Sequence, residues 1–136
     1  MTEDGSGFTT PARSWTKKFA DAFLGIAHGV SGQSSFVVHV CFTAVVIAVA
    51  AWLRVDRLEW SLLLLSITVV LAAEMFNSAL ETISRAMDAK YNAHLERGLN
   101  IASAAVLVTA IGAALIGAVV LGYRIGARLE WWQVTP

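Results

Sequence analysis

The chain has 136 residues, of which 57% are hydrophobic and only 15% charged, and its mean hydropathy is +0.64. Soluble domains carry roughly a quarter of their residues as charges, so this chain lacks the polar residues to cover a water-facing surface, and lipid is the expected solvent. Ten basic and ten acidic residues leave no net charge, so no nucleic-acid partner is expected, and the single Cys41 excludes an internal disulfide or a multi-cysteine metal site.

In chain order, residues 1–13 are acidic and rich in Gly, Ser and Thr. They lack the basic start and apolar core of a signal peptide and read as a flexible cytoplasmic tail. Residues 14–31 form an amphipathic helix: Trp15, Phe19, Phe23 and Ile26 recur at helical spacing, while Lys17, Lys18 and Asp21 keep the start polar. Such a helix suits the membrane surface. A Gly- and Ser-rich turn leads to a first span at 35–53, which has no formally charged residue and ends beside Trp52. The link 54–60 is too short for anything but an antiparallel return, and Asp56 within it reads as a solvated residue. A second span, 59–88, is apolar through Ala73 and mixed afterwards. A polar linker precedes the third span, 98–122, whose Ala113–Gly117 and Ala118–Gly122 pairs allow close helix approach. Residues 123–136, with Trp131 and Trp132, read as an interfacial tail.

Basic residues flank the N-terminal region and the second link (Arg13, Lys17, Lys18; Arg85, Lys90, Arg97) more than the opposite side (Arg54, Arg57; Arg124, Arg128). That bias predicts a cytoplasmic N-terminus. Three helices make a thin bundle, so a homo-oligomer is expected.

The second span carries the chemistry. Glu74, Asn77, Glu81, Arg85 and Asp88 lie three, four, four and three residues apart, one continuous helical face. Glu74 follows Glu59 by fifteen residues, about 22 Å of helix, which puts it near the cytoplasmic boundary. Ionisable groups this close to lipid face protein, a partner or a water-filled pocket. Such a face can hold Mg²⁺ through oxygen ligands or deprotonate a hydroxyl; a helix end emerging into water and structural glue between helices are the competing readings. His39 in FVVHV is either a helix-packing hydrogen-bonder or a lipid-site residue.

The segment EMFNSALE, residues 74–81, resembles the signature of the prokaryotic integral-membrane diacylglycerol kinase and undecaprenol kinase family. The EW pair at Glu59–Trp60, the AFLGI of the surface helix, the FVVH stretch from Phe36 to His39 and the NIASAAVLV run extend the resemblance over about residues 14–122. It implies an all-α membrane protein with three transmembrane helices and an N-terminal surface helix. The implied assembly is a homotrimer in the bacterial inner membrane. The implied reaction is transfer of the γ-phosphate of MgATP to the hydroxyl of a membrane lipid alcohol, undecaprenol or diacylglycerol. On that pattern Glu74 matches the catalytic base, Asn77 the motif amide and Glu81 a Mg²⁺ ligand.

The nucleotide positions differ from the family pattern. Gln33 stands where the family has a second metal-binding Glu, and Leu99 and Asn100 replace a Lys-Asp pair that meets ATP. Arg85 stands where an Asp is common. Lys17, Lys90, Arg97 and Arg85 are the cations left to meet phosphate. Two readings follow: a lipid kinase with rearranged phosphate contacts, or a catalytically degenerate homologue that acts as a structural or lipid-binding membrane protein.

Overall fold

The computed structural model describes residues 14–31, 34–87 and 92–130. Among the described residues there are four helices: α1 (Trp15–Val30), α2 (Ser34–Leu53), α3 (Arg57–Ala86) and α4 (Ala93–Arg128). The last three are long and apolar enough to cross a membrane. At 1.5 Å per residue α3 and α4 reach about 45 and 54 Å, so both outrun a hydrocarbon core of about 30 Å.

Each helix end has a local cause. Ser14 caps α1 by accepting the Lys17 N–H, at 3.3 Å. The end of α2 is a left-handed cap. Arg54 has φ 53°, its N–H donates to the Ala51 carbonyl (3.2 Å), and the Val55 N–H reaches back to Ala50 (3.2 Å). This is the Schellman pattern with arginine where glycine is usual. Asp56, read from the sequence as a solvated link residue, is exposed and is also half of a capping box. Its carboxylate accepts the Glu59 N–H at 2.9 Å, and Glu59 returns the bond to the Asp56 N–H at 2.8 Å. That box starts α3 at Arg57, two residues earlier than expected.

The third span is longer than the expected 98–122 at both ends. Asn92 caps it, its side chain accepting the N–H groups of His94 (2.9 Å) and Leu95 (3.3 Å), so most of the polar linker belongs to the helix. At the far end, residues assigned to a tail continue as helix because Arg124 and Arg128 both find partners. Arg124 Nε bridges the two Glu59 carboxylate oxygens at 2.9 and 2.8 Å, and its Nη2 reaches Asp56 at 3.0 Å. Arg128 donates to the Trp52 carbonyl at 3.0 Å and stacks 4.5 Å over its ring.

The contacts fix an antiparallel bundle. Glu59 meets Arg124 at one end of the α3–α4 pair, and Asn77 meets Ser103 near the other. Helix α3 packs most extensively on α4, α2 lies against both, and α1 touches α3 and α2. The core is small: Ala50, Leu53, Val55, Leu63 and Val120 are buried together beside the Arg124 clasp. Many other large side chains face outward, among them Leu65, Leu107, Val108 and Val119, as lipid solvent allows. The apolar stripe of α1 (Trp15, Phe19, Phe23) is likewise uncovered by the other described residues.

Two stability predictions follow from this end of the bundle. Arg124→Ala removes charge-assisted bonds worth about 1.5–3 kcal/mol, so it is expected to unfold earlier in detergent than Arg128→Ala. Thermal melts of the two variants in one detergent check this. Ala50 is fully buried, so Ala50→Leu has no room and is expected to destabilise the protein by about 1–3 kcal/mol, measured the same way.

Candidate functional site

The polar stripe of α3 forms one face, and two other helices complete it. Glu74 is 1% exposed, the largest fully buried side chain among the described residues. Ser35, in the first turn of α2, donates its hydroxyl to Glu74 Oε1. One turn further along α2, His39 sets its Nε2 3.9 Å from the other oxygen, Oε2. That gap is longer than a hydrogen bond, so the serine holds the carboxyl group and the imidazole stands beside it. The sequence reading named Glu74 and His39; it missed Ser35, whose only signal was a hydroxyl at the start of an apolar span.

One turn toward the polar end, Asn77 is also buried. Its amide nitrogen donates to Glu81 Oε1 at 3.0 Å, and its oxygen accepts from Ser103 of α4 at 3.4 Å. Glu81 is half-buried, and Arg85 one turn on lies 3.4 Å from its second oxygen. Glu74, Asn77, Glu81 and Arg85 therefore share the expected face, with Ser35, His39 and Ser103 added from neighbouring helices.

Beside this face an open cavity of about 540 Å³ separates α1 from α3. Gly25, His28 and Gly29 line one wall, and Ser78, Thr82 and Arg85 the other. Gly29 faces the Met75 side chain, and a Cβ there would make ordinary van der Waals contact with its methyl group at 3.4 Å. The Ser78 hydroxyl is buried with no hydrogen-bond partner among the described residues.

The other expected nucleotide residues are more scattered. Lys17 is exposed on α1, and Arg97 and Asn100 are exposed near the start of α4. None of the three joins the hydrogen-bond network of the stripe among the described residues. Gln33, Lys90 and Asp88 lie outside the described residues, as do Trp131 and Trp132. Among the described residues no group of three or more His, Cys, Asp or Glu side chains is placed to hold a metal ion. Glu81 offers a single carboxylate, which suits a Mg²⁺ whose remaining ligands are phosphate and water. Chemically, the arrangement couples a hydroxyl-bound buried carboxyl group to a second carboxylate about two turns away at the polar end.

The sequence model of the family described as prokaryotic diacylglycerol kinase matches residues 20–121. The diacylglycerol kinase of Escherichia coli strain K12 is 31% identical over 80 residues, which are 59% of this chain and 66% of that protein. The Shigella flexneri diacylglycerol kinase matches to the same extent. The diacylglycerol kinase of Synechocystis sp. is 27% identical over 104 residues, 76% of this chain and 59% of that protein. The alignments thus span slightly under two thirds of the length of these relatives.

Proposed function

This chain belongs to the prokaryotic diacylglycerol kinase family, and on that premise we propose that it transfers the γ-phosphoryl group of MgATP to the hydroxyl of a membrane lipid alcohol. Glu74 is the general base, and Glu81 would hold the Mg²⁺ of the nucleotide, whose charge would neutralise that of the phosphates. Asn77 holds Glu81 in place, and Arg85 turns from Glu81 to the phosphates when nucleotide binds. Lys17, Lys90, Arg97 and Asn100 would be the further nucleotide contacts, and Gln33 would offer its amide oxygen to the metal. Phosphoryl transfer suits this set because it asks for positioning and charge neutralisation more than covalent chemistry.

The observation that carries the reading is the buried Glu74 carboxyl group already bound to a hydroxyl, one turn away from the Asn77–Glu81 pair on the same face. A carboxyl group buried only for packing is costly, whereas one that must receive a proton has reason to be there. The protein is a multi-pass protein of the bacterial cytoplasmic membrane with its N-terminus inside, so the polar end of α3 faces ATP. It assembles as a homotrimer, which would cover part of the outward apolar surface. The relatives' names favour diacylglycerol as acceptor; the FVVH stretch and the Glu59–Trp60 start favour undecaprenol.

The test is transfer of label from γ-labelled ATP in proteoliposomes holding either lipid. Label in one lipid and not the other identifies the acceptor. No label in either lipid overturns the reading and leaves the second one, a non-catalytic lipid-binding protein. The contact favouring that second reading is Arg85, which sits on the carboxylate a metal would need.

A further inference from the structure

Glu74 has almost no exposed surface, at 1%. An acceptor hydroxyl therefore has no direct way to touch it in this arrangement. Ser35 is different: it is exposed, and its hydroxyl donates to Glu74 Oε1. It is also the first residue of the α2 span, at the depth where an apolar helix meets the headgroup region. A lipid alcohol carries its hydroxyl at that same depth. The other group near the carboxyl, His39, stands 3.9 Å from Oε2, too far for a proton to pass along a hydrogen bond.

We propose that Ser35 is a catalytic residue that relays the acceptor's proton to Glu74; this deepens the lipid-kinase reading and rests on it. The acceptor hydroxyl donates to Ser35 Oγ while Ser35 donates to Glu74 Oε1. As the acceptor oxygen forms its bond to the γ-phosphorus, its proton passes to Ser35 Oγ. The serine's own proton passes to Oε1 in the same event. The bond from the γ-phosphorus to the β–γ bridging oxygen breaks, and ADP leaves with that electron pair. Ser35 ends as a neutral hydroxyl and Glu74 ends protonated, to be discharged to water before the next turnover. Two protons are in flight, where direct contact with Glu74 would move one.

The experiment compares wild type, Ser35→Ala and Ser35→Thr in proteoliposomes, measuring lipid phosphorylation across mixtures of light and heavy water. The relay predicts a bowed dependence of rate on deuterium fraction in wild type and a straight line in Ser35→Ala. It also predicts a fall of about hundredfold in kcat for Ser35→Ala, the lower end of general acid–base contributions, with KM for ATP unchanged. Ser35→Thr keeps a hydroxyl and is expected to keep the bowed dependence. A wild-type dependence that is already straight, or a Ser35→Ala protein with full turnover, overturns the relay while the kinase reading stands. Absence of turnover in wild type with both lipids overturns the kinase reading and the relay with it. If Ser35→Ala fails to fold, the wild-type and threonine curves decide the matter alone.

Discussion

Glu74→Gln is expected to abolish lipid phosphorylation, lowering kcat by about 10²–10⁴-fold, the range for removing a positioned general base. The exchange is close to isosteric, and the glutamine oxygen can still accept the Ser35 hydroxyl that Oε1 accepts now. The α2–α3 contact should survive, so the loss would come from the missing proton acceptor. Nucleotide binding supplies the control. Glu81, Asn77 and Arg85 lie one turn or more away on the same face, so affinity for MgATP should change little. Stability should hold or rise, because an amide is cheaper to bury than a carboxyl group. Loss of turnover with a melting temperature at or above wild type is the pattern of a residue kept for function rather than packing. A Glu74→Gln protein that phosphorylates lipid normally would remove Glu74 from the mechanism. One that melts much earlier would return it to the role of structural glue.

The sequence carried the helical face of this site more fully than its depth. Glu74, Asn77, Glu81 and Arg85 follow from spacing alone, since residues three and four apart on a helix are neighbours, and the Asn77–Glu81 and Glu81–Arg85 contacts are of that kind. The three apolar spans were legible for a similar reason: length and composition decide them without reference to other helices. Ser35 and Ser103 were not legible. Each meets its partner across a helix interface, 39 and 26 residues away in the chain, and periodicity within one segment holds no record of such pairings. The Arg124 clasp escaped for the same reason, with Arg124 lying 65 positions after Glu59 in the chain. Asp56 and Asn92 were visible as polar residues in links, yet caps and linkers draw on the same residue types. That overlap explains why α3 and α4 both begin earlier than expected.

Glu81→Ala is expected to have the second largest effect: loss of Mg²⁺-dependent turnover together with loss of saturable MgATP binding. In the present arrangement both Glu81 oxygens are engaged, one by Asn77 at 3.0 Å and one by Arg85 at 3.4 Å. The two contacts differ in how easily they yield. Asn77 is buried and held from the other side by Ser103. Arg85 is a same-helix partner whose side chain is 73% exposed, and exposed pairs of this kind contribute only about 0.3–0.5 kcal/mol. The Arg85 contact would therefore yield at little cost if Glu81 held a metal ion, and the guanidinium would then be free to meet phosphate. Arg85→Ala should accordingly raise the KM for ATP several-fold and leave the Mg²⁺ requirement in place, whereas Glu81→Ala removes the carboxylate the ion needs. Asn77→Ala should fall between them, since Glu81 would keep its charge and lose its anchor. Titrations of Mg²⁺ and of ATP on the three variants separate these effects. Undiminished Mg²⁺-dependent activity in Glu81→Ala would move the metal site off α3, and Gln33 would then be the next side chain to substitute.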